Sequence, residues 1–167
     1  MNLHLIGSDV DRRETRLDGI EIRAVAALMA ETFQRLTVAD SGVGLVADFA
    51  KAFASFGEVA AVVPGESEGA GRGSRFAGAD AVLCYPGGLG TLASLFGLLS
   101  GAGPDGPAVT PPIYLYNWEK FYAPLLLQIE TALVTGLIRP EAIAALRVFE
   151  SVEELAQQLC GPDADGP

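Results

Sequence analysis

The stretch Asp80-Ala-Val-Leu-Cys-Tyr-Pro-Gly-Gly-Leu-Gly-Thr91 decides how the chain folds. Ala81 to Tyr85 is a short apolar run with no polar side to turn to water, which predicts a strand buried on both faces. Pro86 cannot donate to a ladder and stops that strand. Gly87, Gly88 and Gly90 follow, and the apolar segment from Thr91 to Ser100 predicts a helix. A strand, a glycine turn and a helix start present unbonded backbone N–H groups to an anion. Glycine lets the backbone approach a phosphate closely, and Thr91 adds a hydroxyl. The competing reading is a tight turn with nothing bound, and the density of glycine after a buried strand favours binding.

Upstream, Leu3 to Ile6 predicts a first strand, ended by Gly7-Ser8-Asp9. Asp18 with Glu21 reads as a capping pair for a helix carrying Val25, Leu28, Met29 and Phe33 on its core side. Leu36 to Ala39 predicts the second strand. Ser41-Gly-Val-Gly-Leu-Val-Ala47 then matches G-x-G-x-x-A, and Glu66 follows about 20 residues later, beyond a strand at Val59 to Val63. That is the pattern of a dinucleotide site. Gly88-x-Gly90-x-x-Ala93 matches the same pattern, so the pattern discriminates little in this chain. Asp48 reads as a first-turn acid complementing a helix dipole. Pro64 to Arg75 is a surface loop and a candidate lid, with Arg72 and Arg75 either solvated or in contact with phosphate.

Downstream, Pro112 to Tyr116 predicts a strand and Pro124 to Thr135 a helix closed by Gly136. Trp118, Phe121 and Tyr122 lie between them, as packing residues or as walls of a base pocket. Leu146 to Phe149 predicts the last strand. Ser151 with Glu154 caps a final helix ending near Cys160. Residues 161–167 read as a disordered tail after a single domain spanning 1–160. Alternating strands and helices, with strands apolar on both faces, give the α/β class: a doubly wound, mostly parallel sheet with helices on both sides. Ligands of such sheets bind at the carboxyl ends of the strands. Gly7-Ser8, Ser41-Gly42 and Pro86 to Thr91 all follow strand ends and converge there.

Composition narrows the function. Half of the 167 residues are hydrophobic, enough for one core. A formal charge of −10 argues against a nucleic-acid polymer or an anionic membrane as partner. No apolar run is long enough to span a bilayer, and no signal peptide is expected, so a cytoplasmic protein is the expectation. Two cysteines, Cys84 and Cys160, make neither metal spacing nor a disulfide framework, and no metal or cofactor is expected. The single histidine, His4, falls in the first strand as a packing residue, so Ser–His–Asp and Cys–His catalysis are not expected.

Pro86-Gly-Gly-Leu-Gly-Thr91 resembles the opening of the Pro-Gly-Gly-x-Gly-Thr-x-x-Glu motif of the LONELY GUY, or lysine decarboxylase-like, family. Gly42 to Leu45 and Asn117 to Leu127 resemble further passages of it, Gly44-Leu45-Val46 standing for a Gly-Leu-Met loop. The resemblance implies a Rossmann-like fold, a homodimer, and phosphoribohydrolase activity on nucleoside monophosphates; nucleotide contacts are expected at Gly87, Gly88, Leu89, Gly90 and Thr91 of the motif and, from their places after strand ends, at Gly7, Ser8, Ser41 and Gly42. Molybdenum-cofactor carrier proteins look similar and bind a phosphorylated ligand without turning it over. The motif's Glu falls on Ser94, and the family's arginine helix has no counterpart in Pro64 to Arg75, leaving Arg72 and Arg75 as the only nearby cations. Glycosidic cleavage needs charge stabilisation and a proton for the leaving base, and Ser94 has no charge to supply. The expected function is therefore binding of a nucleotide or other phosphorylated small molecule with hydrolysis weakened or lost. The alternatives are a hydrolase with a relocated acid (Asp40, Asp48, Glu66 or Glu119) and a cofactor carrier or scaffold domain. The apolar surface of Leu92, Leu95, Phe96, Leu98, Leu99 and Leu125 to Leu127 supports the homodimer.

Overall fold

The computed structural model describes residues 1–8, 10, 20–39, 43–62, 76, 78–101 and 111–161. Asp9, Asp18, Asp40, Ser41, Gly42, Val63 and the Pro64 to Arg75 loop with Glu66, Arg72 and Arg75 lie outside them, as do the loop after residue 101 and the tail beyond Gly161. In chain order the elements are β1 (Asn2–Ile6), α1 (Ile22–Thr32), β2 (Arg35–Ala39), α2 (Gly44–Phe53), β3 (Glu58–Val62), β4 (Ala81–Cys84), α3 (Leu89–Gly101), β5 (Ile113–Tyr116), α4 (Ala123–Val134), β6 (Leu146–Phe149) and α5 (Val152–Cys160). Short 3-10 turns occupy Trp118–Lys120 and Pro140–Ile143.

Every strand pairing is parallel, in the order β3-β2-β1-β4-β5-β6. This is the doubly wound α/β arrangement expected from the sequence. All four β4 residues are buried, and they divide by alternation. Ala81 and Leu83, with Tyr85, join the core formed with Val25, Met29, Phe49 and Leu155 of α1, α2 and α5. Val82 and Cys84 join the opposite core with Leu95, Leu98 and Ile129 of α3 and α4. β5 divides the same way, Tyr114 and Tyr116 to the first core, Ile113 and Leu115 to the second. Each fully buried leucine or valine here contributes about 1.5–3 kcal/mol. Neither face of β4 could be stripped of its helices without exposing such residues.

Three local readings are corrected. Glu21 is not the third helical residue of a capping box: it is the N-cap of α1, and its side chain makes no capping bond. Its carboxylate instead accepts from the Tyr116 hydroxyl at 3.4 Å. Asp48 lies past the first turn of α2 and pairs with Lys51 at 4.0 Å, one turn along the helix. Helix α3 starts at Leu89, two residues before Thr91, because an unbonded first turn tolerates Gly and an exposed Leu. The final cap is as read, with one change of partner. Ser151 Oγ accepts from Glu154 N at 3.2 Å, while the Glu154 carboxylate reaches back to the N–H of Glu150. Gly136 follows α4 with φ of 75°, the left-handed closure that glycine adopts without strain.

At the sheet edge, the Arg147 guanidinium of β6 folds back to donate to Ala144 O at 2.6 Å. Arg35 and Glu58 form an exposed pair at 3.7 Å between β2 and the other edge strand. On the outer surface of the α4 layer, Leu127, Val134 and Leu137 are exposed, the last two at 82% each. Among the described residues no helix is long and apolar enough to cross a membrane.

His4 is buried and meets the Phe76 ring edge-on at 5.0 Å between centroids. Burial lowers its pKa to about 4, because the imidazolium cannot be hydrated there. The unfolded chain therefore takes up a proton that the folded chain refuses. The stability linked to His4 is full above its unfolded pKa of 6.5 and is lost as pH falls toward 4. The loss amounts to roughly 3 kcal/mol. Urea midpoints at pH 7 and pH 4 should converge markedly in His4→Leu relative to wild type. An equal pH dependence in both proteins would show that His4 is not the source.

Candidate functional site

Strand order reverses direction at β1 and β4: chain progress runs outward to β2 and β3 on one side and to β5 and β6 on the other. The crevice of a doubly wound sheet opens at this switch point, beyond the carboxyl ends of the strands. Two predicted loops flank it. Gly7-Ser8 follows β1, and Pro86 to Thr91 follows β4, β1's hydrogen-bonded neighbour. They touch, because a Cβ on Gly7 would come within 3.2 Å of Tyr85 Cβ. Ser8 is buried. Its carbonyl accepts from Val46 N at 3.3 Å, and its hydroxyl accepts from Val10 N at 3.2 Å. The start of α2 is thereby tied to the same edge, with Gly44 at φ of 77° where the chain turns into the helix.

The glycine turn has a definite construction. Tyr85 N donates to Ile6 O at 2.9 Å, the last hold on the sheet. Gly88 caps α3, its carbonyl accepting from Leu92 N at 3.1 Å. The N–H groups of Gly88, Leu89, Gly90 and Thr91 have no acceptor among the described residues. Gly88, Leu89 and Gly90 are exposed, while Thr91 is buried at 6% exposure. Thr91 turns its side chain back over Gly87: a Cβ there would lie 2.1 Å from Thr91 Oγ1. Gly87 is therefore required by internal packing, whereas a Cβ on Gly88 or Gly90 meets nothing within 4 Å among the described residues. These two leave room for a bound group.

Tyr122 underlies the turn. It is buried at 1% exposure, and its hydroxyl donates to Tyr85 O at 2.7 Å, beside Cys84 Sγ at 3.6 Å. The Gly87 N–H faces the Tyr122 hydroxyl oxygen. Burial, then the Cys84 neighbour, raises the Tyr122 pKa, so the phenol stays protonated and donating. Burial also pushes the Cys84 thiol up to about 12, which makes it inert at neutral pH. Tyr122 N in turn donates to Asn117 Oδ1 at 2.7 Å, and Asn117 Nδ2 donates to Glu150 Oε1 at 2.9 Å. Lys120 pairs with the other Glu150 oxygen. Lys120 and then Asn117 hold the half-buried Glu150 carboxyl below its usual range.

Of the aromatic trio, only Phe121 is exposed. Trp118 packs on the core and Tyr122 lies beneath the loop. Glu119 is exposed with φ of 46° and Lys120 follows at 62°, two consecutive left-handed residues without glycine. Ser94 is half-buried on α3, three residues after Thr91. The Tyr85 hydroxyl is buried with no hydrogen-bond partner among the described residues, and burial raises its pKa well above the usual phenol value. Tyr122 as a support for the loop escapes a reading of the sequence, because its partner Tyr85 is 37 residues away and no local pattern links them. Among the described residues no group of three or more His, Cys, Asp or Glu is placed to hold a metal.

Fold and loop together define a doubly wound α/β domain with a glycine turn at its switch point. Residues 72–159, just over half of the chain, match the family described as possible lysine decarboxylase, and the chain belongs to that family. The match includes the glycine turn, Ser94 and the Asn117 to Tyr122 passage. No curated protein matches the chain.

Gly87 and Gly88 should respond unequally to alanine. Gly87→Ala forces Thr91 aside and should cost about 1–3 kcal/mol. Gly88→Ala should cost less than about 1 kcal/mol. Chemical denaturation of both variants checks this, and equal losses would contradict the packing assigned to Thr91.

Proposed function

We propose that this protein binds a nucleotide or another phosphorylated small molecule, its phosphate on the N–H groups of Gly88, Leu89, Gly90 and Thr91. Gly7 and Ser8 flank the ligand from β1. The observation that carries this reading is a helix start at the switch point with four N–H groups lacking an acceptor among the described residues. Such a start attracts anions through its dipole and its unbonded donors. Membership of the family supports it. Ser41 and Gly42 belong to the same proposal on sequence grounds, and Arg72 and Arg75 enter as phosphate contacts.

In this reading the phosphoribohydrolase chemistry associated with the motif is weakened or lost. Ser94 stands where the motif carries a carboxylate. Loss of one transition-state electrostatic partner costs on the order of 10²–10³ in rate. A second reading, a hydrolase with a relocated acid, draws support from Glu119, whose carboxylate is exposed in a left-handed turn after β5. Free-base release separates the two.

Isothermal titration with inorganic phosphate and AMP should show binding to wild type and none to Gly88→Val, with the variant still folded. No adenine should appear on prolonged incubation with AMP, and Ser94→Glu alone should not restore its release. Retained binding by Gly88→Val would remove the loop from the anion site. Robust base release from any nucleoside monophosphate by wild type would replace the binder with the relocated-acid enzyme.

The same proposal includes a homodimer formed through the α3–α4 layer. Its support is the exposed row Leu127, Val134 and Leu137 beside a cleft of about 630 Å³ lined by Phe96, Leu99, Ile129 and Ile143. Light scattering at micromolar concentration should give twice the 17.4 kDa chain mass, and Leu137→Glu should lower it. A monomeric wild type would end this part of the proposal.

A further inference from the structure

We infer that Tyr122 is a positioning residue for the glycine turn, and that the strained β5–α4 connection holds it in place. This rests on the phosphate site proposed above. Tyr85 is the point at which the chain leaves the sheet. Its N–H is bonded to Ile6 O, but its carbonyl has no strand to pair with, since the β4–β5 register ends at Cys84 and Leu115. The Tyr122 hydroxyl occupies that carbonyl at 2.7 Å. The direction in which Pro86, Gly87 and Gly88 depart is thus set by a side chain from another element. The four N–H groups of Gly88 to Thr91 converge on one anion only if that direction is held.

The connection carrying Tyr122 is built at a conformational cost. Glu119 and Lys120 both occupy the left-handed region, which non-glycine residues adopt only when their surroundings impose it. The surroundings are on hand. Asn117 N donates to Phe149 O at 2.8 Å, Lys120 N to Asn117 O at 3.1 Å, and Phe121 N to Trp118 O at 2.9 Å. The Asn117 side chain joins Tyr122 N to Glu150, and Glu150 takes Lys120. A bonded path therefore runs from Glu150, beyond β6, through Asn117 and Tyr122 to the Tyr85 carbonyl. A tighter route into α4 would relax Glu119 and Lys120 and would move Tyr122 away from Tyr85.

The test is the affinity of Tyr122→Phe for inorganic phosphate and for AMP, measured by titration beside wild type. A stability control, Leu155→Ala, opens a cavity on α5 in the core opposite the one that Tyr122 joins. Tyr122→Phe keeps the ring and loses only the hydroxyl. It should bind both ligands at least about tenfold more weakly, while Leu155→Ala, of equal or lower melting temperature, binds as wild type does. Asn117→Ala, which keeps the Tyr122 side chain intact but releases its backbone, should also lose affinity and serves if Tyr122→Phe fails to fold. Wild-type affinity in either folded variant would overturn the positioning role and leave the phosphate site standing. An equal loss in Leu155→Ala would overturn it as well, by reducing the effect to stability. Absence of phosphate and AMP binding in wild type would instead remove the site itself, and the inference with it.

Discussion

Strand β4 has no side that can face water. Its four residues are buried, two toward each core, and that constraint dictates the architecture. A strand apolar on both faces needs helices on both faces, and parallel neighbours joined by helical crossovers provide them. With β1 beside it and the chain growing outward in both directions, the strand ends at the switch point of the sheet. The backbone that follows has lost its ladder partners and must find others. Pro86 has no N–H to satisfy, Gly87 gives its space to Thr91, Tyr122 takes the Tyr85 carbonyl, and α3 begins with its first donors unbonded among the described residues. The candidate site is thus what remains when a doubly buried strand has to stop.

Much of this was legible because it is local. The apolar run, the proline stop and the glycine cluster lie within twelve residues, and alternation and helical spacing place the other strands to within a residue or two. Helix starts were less legible. The apolar stripe of α3 begins at its first inward-facing residue, while the helix itself begins at Leu89, whose side chain is in water. At α1 a favourable Asp–Glu spacing suggested a capping box, but Tyr116, 95 residues away, holds the Glu21 carboxylate, and a distant hydroxyl is not written in the local pattern. Tyr122 fails to show itself for the same reason. The glycine turn was visible as a motif; what supports it from below was not. The chemical departure at Ser94 was visible only against the family motif, since nothing in its own neighbourhood marks the position.

The anion site proposed for this fold does not draw on net charge. The chain carries −10 overall, and Lys120, in the connection before α4, is committed to Glu150. Among the described residues, the groups that the proposed site offers an anion are backbone dipoles, fixed in direction by the helix and screened little by distance because contact is direct. Such donors need no reorganisation when a ligand arrives. Their selectivity comes from the shape of the turn, and so from the residues packed beneath it.

The edges of the sheet bear on how molecules of this protein meet one another. An uncovered parallel edge offers a row of backbone donors and acceptors, an open template on which a foreign strand can grow. Here β6 places Arg147 in mid-strand and draws its guanidinium down onto the carbonyl of Ala144, and β3 opens with Glu58 paired to Arg35. A strand added at either margin would bury one of these charges. Growth of the sheet into fibrils is discouraged at both ends.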